Sequence, residues 1–170
     1  MADRPDPYIE RLESSYTLGG KVKVDVDDFL GLVEVGNRTY PGGADEGARL
    51  WESALSLFQG DYLEEYPYQE WTNSERERLR SIFLEVAGRL ARHHLERGDL
   101  ERAVETCHTL LERDRCWEEA YRILMEVHLR NRRSFLAART YEQCCQALEE
   151  ELGVSPSEET QALYRRVSHG

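Results

Sequence analysis

The chain has no long run of hydrophobic residues, and this absence limits where it can reside. No apolar stretch approaches the roughly 20 residues that a membrane-spanning helix needs. No charged start is followed by an apolar stretch, as a secretion signal would require. The 170 residues are 40% hydrophobic and 32% charged, enough for one compact domain with a genuine core. We expect a cytoplasmic protein without membrane contact.

Signatures of catalysis are also missing. The sequence has no GxSxG, no glycine-rich phosphate loop, no HExxH and no dinucleotide fingerprint. The five histidines do not pair with carboxylates at ligand spacing. The glutamates fall at solvent-facing helix positions, where ion-paired surface is the ordinary interpretation. We therefore expect no enzyme activity, no cofactor and no bound metal.

Cations are scarce relative to acids. The formal net charge of −11 argues against autonomous binding to nucleic acid, because such affinity comes mainly from neutralising phosphates. The exception is the cluster Arg130, Arg132 and Arg133, which is followed by Arg139. These cations either gather at a helix C-terminus, where the helix dipole favours them, or form a docking patch for an acidic partner.

What the sequence does contain is a repeat between Glu85 and Glu151. A shift of about 34 residues, the period of tetratricopeptide helix pairs, places small and apolar residues on each other. The matches are Leu90 with Leu124, Leu95 with Leu129, Ala103 with Ala137, Cys107 with Tyr141, and Leu111 with Cys145. We predict an all-α fold, a tetratricopeptide-like right-handed stack of antiparallel helices. Such an array binds other macromolecules but does not define their identity.

The turn inside each repeat differs between the two copies. In the first copy, Gly98 follows the helix end, where a left-handed residue is favoured, and Asp99 can cap the next helix. In the second copy, Arg132 stands at the glycine position. We therefore expect the second turn to use Asn131 or a tighter geometry.

The four cysteines form no CxxC pair and no metal-like spacing with histidine. Cys107 and Cys145 fall on repeat positions that require buried apolar residues, and neighbouring Cys144 points in another direction on the helix. Together with Cys116, these residues are expected to be reduced thiols, two of them in the core.

The chain before the repeat predicts a hairpin and two helices. Residues 8–18 read as two short strands about a polar turn, which are marginal alone and must lean on something. A helix opens at Asp25, and a second runs over residues 44–58. The Thr72–Glu75 stretch has the spacing of a capping box and starts a long helix. After the repeat, Ser155, Pro156 and Glu158 predict the start of a closing helix.

Residues 59–73 are the most distinctive local stretch, with aromatic side chains in an irregular segment. Tyr66, Tyr68 and Trp71 can pack their rings on the helices and keep their polar tips in water. The alternative is that this segment, near residue 62, surrounds a small ligand.

Three stretches together resemble the bacterial transcriptional activator domain, which occurs in Streptomyces antibiotic regulatory proteins and related large regulators. They are Gly60–Leu63 through Trp71 and Arg76–Leu79, then Ala120–Met125, and finally Leu152–Thr160. The resemblance covers residues 22–168. Two positions depart from the family pattern: Asp114-Arg115 replaces an Asp-Pro, and Arg132 replaces a glycine.

The resemblance also implies domain boundaries. In the family, a winged helix-turn-helix domain precedes the helical domain, and the Tyr16–Leu18 and Val24–Phe29 stretches are similar to that junction. Residues 1–21 would then be a β-hairpin from the end of such a domain, whose recognition helix is missing here. Residues 22–170 would be the activator domain.

The resemblance finally implies a role. We expect a regulatory protein–protein interaction and dimerisation domain that contacts RNA polymerase or a second copy of itself, with DNA bound only by the missing domain. Candidate partner-binding residues are Arg130, Arg132, Arg133, Tyr66, Tyr68 and Trp71. The alternatives are a generic tetratricopeptide adaptor, a small-molecule sensor, and an autonomous DNA-binding domain.

Overall fold

The computed structural model describes residues 9–12, 15–18, 25–58 and 70–168. Two strands, β1 (Ile9–Leu12) and β2 (Ser15–Leu18), pair antiparallel, as the sequence predicts. The helices are α1 (Asp25–Thr39), α2 (Ala44–Leu57), α3 (Glu70–Arg97), α4 (Leu100–Arg113), α5 (Glu118–Arg130), α6 (Ser134–Leu152) and α7 (Glu158–Ser168). None of the described helices is long and apolar enough to cross a membrane.

The helices pack in consecutive pairs, α1 with α2, α3 with α4, and α5 with α6. Further contacts join α3 to α5 and α5 to α7, so these three helices form one layer of the stack. Ala103 and Ala137, which match in the predicted repeat, are both fully buried in the second helix of their pairs. The predicted all-α, tetratricopeptide-like stack is confirmed, and the α1–α2 pair adds a third hairpin to the two repeats seen in the sequence.

The first hairpin is held by unusually close backbone contact. A Cβ atom added at Gly47 would lie 2.7 Å from the Cα atom of Tyr40, and one at Gly36 would lie 2.7 Å from the Trp51 indole. Tyr40 stacks on the fully buried Trp51 with ring centroids 4.5 Å apart, and the Arg89 guanidinium of α3 lies 4.3 Å from the Trp51 ring centroid. The two glycines therefore allow the helix crossing that brings these rings together.

The long helix α3 begins earlier than the sequence indicates. Its first residue is Glu70, so the Thr72–Glu75 stretch lies inside the helix and does not cap it. Trp71 belongs to the helix backbone, not to an irregular segment. Arg78 instead donates to both Glu75 carboxylate oxygens at 2.9 and 2.7 Å, an i,i+3 pair that supports the first turns.

In α6, the second helix of the second repeat, the buried cysteine is one residue before the predicted one. Cys144 is fully buried and Cys145 only half-buried, so the prediction of a core Cys145 is wrong. The residues 34 positions earlier behave in the same way, because Leu110 is fully buried and Leu111 half-buried. The 34-residue repeat is therefore maintained, but at this position of α4 and α6 the buried residue comes one residue earlier than predicted. Tyr141 also lies at the edge and stacks on Tyr164 of α7 with centroids 4.0 Å apart.

A carboxylate of α5 fixes the start of α7. Glu118 Oε2 accepts hydrogen bonds from Ser157 N at 2.9 Å, Ser157 Oγ at 2.7 Å and Thr160 Oγ1 at 2.6 Å. Burial alone would raise the pKa of Glu118, but these bonds outweigh it and hold the pKa below its ordinary value. The predicted cap was misplaced, since α7 begins at Glu158 and the buried Pro156 lies before the helix.

Arginines complete the ends of neighbouring helices. Arg113 donates to the carbonyl of Phe58, which follows α2, at 3.2 Å. Arg80 donates to the carbonyl of Arg113 at the end of α4, and Arg130 donates to the carbonyl of Leu95 near the end of α3. Because the last carbonyls of a helix have no partner within it, these cations stabilise helix ends through both hydrogen bonds and the dipole.

Candidate partner-binding surface

Three of the predicted partner-binding residues lie together in the turn between α5 and α6. Arg130 ends α5, Arg132 and Arg133 form the turn, and α6 begins at Ser134. Tyr66 and Tyr68 lie outside the described residues, as does the side chain of Trp71. The structure therefore places the three arginines in one cluster. The part of the three aromatic residues in partner binding stays a prediction.

Arg130 differs from its neighbours because it has a structural partner. Its guanidinium donates to the Leu95 carbonyl near the end of α3, in the preceding helix pair. This bond fits the interpretation that cations gather where helices end. Arg130 therefore ties the second repeat to the first, and a partner would have to compete with that bond.

Arg132 adopts a backbone conformation that residues other than glycine rarely adopt. Its φ angle is +56°, in the left-handed region. The Arg132 amide donates to the Leu129 carbonyl at 2.9 Å, and the Arg133 amide donates to the His128 carbonyl at 2.8 Å. Asn131 is the residue at the end of α5 but keeps a φ angle of −84°, and the turn is closed by the tighter i,i+3 hydrogen bond of the Arg132 amide, which was the second of the two expected geometries.

The first repeat makes the same turn with glycine. Gly98 has a φ angle of +79°, its amide donates to Leu95 at 3.2 Å, and the Asp99 amide donates to His94 at 2.9 Å. Each atom pair lies 34 residues before its counterpart in the second repeat. The two turns therefore share one hydrogen-bond pattern and differ in side chains.

The start of α6 lacks the cap that the first repeat has. Asp99 accepts from the Arg102 amide at 3.3 Å and caps α4. Arg133 occupies the equivalent position before α6, makes no side-chain cap, and is followed by a first turn without acidic residues. Burial and the Arg133 charge lower the pKa of nearby His128, so the arginines alone carry the positive charge here.

An aromatic ring stands beside these arginines. Phe135 lies in the first turn of α6 and is 77% exposed, the most exposed of the large hydrophobic residues described. Arg132, Arg133 and Arg139 are exposed as well. We name Arg132, Arg133, Phe135 and Arg139 the arginine–phenylalanine patch. Sequence analysis missed Phe135, although its position 34 residues after exposed Glu101 marks it as outward-facing.

A groove of about 550 Å³ lies between α3 and the α4–α5 turn. Its lining is acidic, and Arg80 within it already donates to the Arg113 carbonyl. The indole N–H of Trp117 is buried without an acceptor among the described residues. The lining residues are Glu77, Arg80, Ser81, Leu84, Glu85, Asp114 and Trp117. The groove thus has a charge opposite to that of the arginine–phenylalanine patch.

Two buried histidines join α2 to α3. His93 Nε2 lies 3.5 Å from Asp45 and His94 Nε2 lies 3.4 Å from Glu52, while His93 Nδ1 lies 3.3 Å from the Tyr40 hydroxyl. Burial lowers the pKa of His94, against the opposing effect of Glu52. Within the described ranges, no group of three or more His, Cys, Asp or Glu residues is placed to hold a metal ion. The histidines therefore act as packing residues.

The cysteines lack the environment of a reactive thiol. All four are free, and Cys107 and Cys144 are fully buried. Burial raises the pKa of both thiols to about 12. Because the thiolate is the nucleophile, these two cysteines remain protonated at neutral pH and serve as small core residues.

The stacked helix pairs define a class of protein, a tetratricopeptide-like scaffold, which binds other proteins through its exposed helix faces. The chain belongs to the bacterial transcriptional activator domain family, whose model matches residues 24–168. That match includes every helix from α1 to α7. The chain is therefore a domain of the transcriptional activator class, and this class is regulatory and not enzymatic.

A solved structure supports the fold independently. The C-terminal TPR-containing domain assigned to an FK506-binding protein of Plasmodium falciparum superposes with a TM-score of 0.60 at 14% identity. The match covers 85% of this chain and 88% of that one. At this identity the likeness concerns the fold alone. No curated protein matched the chain in sequence.

Two of the three family motifs now have a structural explanation, and the Gly60–Leu63 motif lies outside the described residues. The Ala120–Met125 stretch is buried almost throughout α5, and the Tyr121 hydroxyl donates to the Arg115 carbonyl at 3.0 Å across the α4–α5 turn. In the Leu152–Thr160 stretch, Gly153 closes α6 with a φ angle of +65°, and Ser157 and Thr160 hold Glu118. These motifs maintain the stack, so they identify the family without marking a binding site.

Proposed function

We propose that this chain is the regulatory protein–protein interaction and dimerisation domain of a cytoplasmic bacterial transcription regulator. It would act with a separate winged-helix domain that binds DNA, and its partners would be RNA polymerase or a second copy of itself. The observation that carries the proposal is the family match over residues 24–168, which spans the whole helical stack. The fold adds support, because stacked helix pairs present extended surfaces for protein binding.

The charge distribution supports a protein partner over direct contact with DNA. The chain has a formal net charge of −11, so long-range repulsion from phosphates would oppose association. DNA contact is accordingly assigned to the separate domain. The helical stack would bind RNA polymerase and so bring it to the DNA that the separate domain holds.

Exposed apolar side chains provide candidate dimerisation contacts. Leu152 is 60% exposed and Val154 is 47% exposed at the end of α6, and Val35 of α1 is 40% exposed. Isolated exposed hydrophobic residues are common on monomers, but the Leu152–Val154 pair stands beside the α7 end of the stack. A homodimer joined at this end would bury both residues.

The experiment is multi-angle light scattering of the purified chain, alone and mixed with RNA polymerase holoenzyme. We expect the mass of a dimer, of a polymerase complex, or of both. A Leu152→Glu variant is expected to weaken dimers, while Leu57→Glu at another exposed site, 37% exposed in α2, serves as the matched control. A strictly monomeric chain that ignores polymerase would refute the proposal and favour a generic adaptor.

A further inference from the structure

The arginine–phenylalanine patch carries chemistry that its turn does not need. The first repeat builds the same turn, with the same two hydrogen bonds, from glycine and a capping aspartate. The second repeat replaces Gly98 by Arg132, which must adopt a left-handed backbone, and Asp99 by Arg133, which leaves α6 uncapped. Both exchanges oppose stability, because arginine is strained at positive φ and a helix N-terminus repels cations.

The exchange extends beyond the turn itself. The positions that hold Arg130, Arg132, Arg133, Phe135 and Arg139 in the second repeat hold Glu96, Gly98, Asp99, Glu101 and Glu105 in the first. At these five positions, acidic side chains and a glycine are replaced by arginines and one exposed ring, while the turn keeps the same hydrogen bonds. Since the two turns have the same hydrogen bonds, the fold does not account for this inversion.

The patch side chains also make few contacts with the rest of the described domain. Arg132, Arg133, Phe135 and Arg139 are exposed, and among the described residues the side chains of Arg132 and Arg139 have no ion pair or hydrogen bond. Strain that persists at an exposed site without an internal partner points to function outside the molecule. Arg130 differs, because it donates to the Leu95 carbonyl.

We propose that the arginine–phenylalanine patch docks an acidic segment of a partner protein that also carries an apolar side chain. Carboxylates would pair with Arg132, Arg133 and Arg139 and approach the uncapped amides of α6, where the helix dipole favours anions. The apolar side chain would cover Phe135, which is 77% exposed. The inference rests on the proposed function and names the surface and the class of partner.

A protein segment fits this surface better than nucleic acid. Three exposed arginines would neutralise few phosphates, and the acidic remainder of a chain with net charge −11 would repel the rest of a polyanion. A short acidic segment meets only the local patch, because charges more than about 10 Å away are screened at moderate salt. The exposed phenyl ring adds apolar contact that a phosphate backbone does not use.

The test transfers the first repeat's residues to the second. The variant Arg132→Gly, Arg133→Asp and Phe135→Glu removes three of the four patch residues and leaves Arg139, while it restores the glycine turn and the cap, so loss of folding cannot explain lost binding. The control Arg38→Glu and Arg49→Glu changes the net charge equally, at sites whose side chains are 70% and 73% exposed and whose ion pairs among the described residues lie within their own helices.

The readout is fluorescence anisotropy with a short labelled peptide rich in glutamate and leucine. The native chain is expected to bind it more tightly than a peptide with glutamine in place of glutamate, and binding is expected to weaken as salt rises. The triple variant should lose about tenfold in affinity, typical for removal of several interface charges, and the control should lose little.

Several results would overturn the inference. They are equal binding of the two peptides, equal loss in the control variant, or equally tight and patch-dependent binding of a single-stranded DNA of the same charge. The triple variant is then compared with the native chain in the light-scattering assay. Peptide binding through the patch without dimer or polymerase complex would refute only the proposed function, and complexes without patch-dependent peptide binding would refute only this inference.

Discussion

Glycine exchange at two equivalent turns tests whether the repeats share one backbone geometry. Arg132 has a φ angle of +56°, where a side chain costs about 1–2 kcal/mol. Arg132→Gly removes that strain but adds about 0.5–1 kcal/mol of chain entropy in the unfolded state. The guanidinium has no ion pair with another described residue, so little else is lost. We expect the free energy of unfolding to rise by about 0.5–1 kcal/mol.

Gly98→Ala makes the opposite change at the equivalent position of the first repeat. Gly98 has a φ angle of +79°, and an added Cβ atom would meet nothing within 4 Å. The change is therefore purely a backbone effect, and alanine at positive φ should lower the free energy of unfolding by about 1 kcal/mol. Gly98→Asn is the control and should lose less, because asparagine tolerates the left-handed region better.

The assay is thermal and urea unfolding followed by circular dichroism. For a chain of this size, each kcal/mol shifts the melting temperature by about 2–4 °C. Opposite signs at the two positions are the expected result. A lower melting temperature for Arg132→Gly would refute the reasoning, because Arg132 would then stabilise the turn through its side chain instead of straining it.

Three further predictions concern the packing of the stack, and each is checked by unfolding measurements. Ala103→Trp should cost about 3 kcal/mol by overpacking, since Ala103 is fully buried, and a neutral result would contradict its position in the core. Gly47→Ala should cost about 2 kcal/mol because its Cβ would meet the Tyr40 backbone, whereas Gly31→Ala, with open space around it, should stabilise α1 by about 0.5–1 kcal/mol. Glu118→Gln should lose roughly 1 kcal/mol at neutral pH. Since the folded pKa of Glu118 is lowered, its contribution is present above the unfolded pKa and disappears as pH falls through the folded value; a difference that persists in acid would contradict this.

Periodicity predicted most of the fold because the helices bury one face each. The alanines at positions 103 and 137 and the shift of 34 residues indicated the stack, and both alanines are fully buried. The same reasoning placed Cys145 in the core, where Cys144 is found instead. A helix stripe is wide, so apolar residues at adjacent positions cannot be ranked by periodicity, and the contacts of α6 with α5 and α7 decide the rotation.

Helix ends were predicted less well, because several local signals compete there. Thr72–Glu75 has the spacing of a capping box, yet α3 begins at Glu70. Ser155 looked like the cap of α7, but α7 begins at Glu158, directly after Ser157, whose amide and hydroxyl donate to Glu118 of α5. Such tertiary partners leave no local sequence signal.

The candidate site was found only in part. The arginines were visible as a charge cluster, but the sequence did not separate Arg130, which donates to the Leu95 carbonyl, from Arg132, whose side chain stays exposed. The sequence did not predict the left-handed backbone at Arg132, because arginine rarely adopts it. A residue that breaks a local rule is a candidate for function, and Arg132 is recognised as one by comparing the two repeats.

The arginines that complete neighbouring helix ends limit how the array can change in length. Arg113 serves α2, Arg80 serves α4, and Arg130 serves α3. Removing the α3–α4 pair would take the Arg113 donor from the Phe58 carbonyl, and removing the α5–α6 pair would take the Arg130 donor from the Leu95 carbonyl. Simple repeat arrays gain or lose whole units because each unit contacts only its nearest neighbours through equivalent interfaces. This domain is instead expected to melt as one cooperative unit and to tolerate neither deletion nor duplication of a single pair.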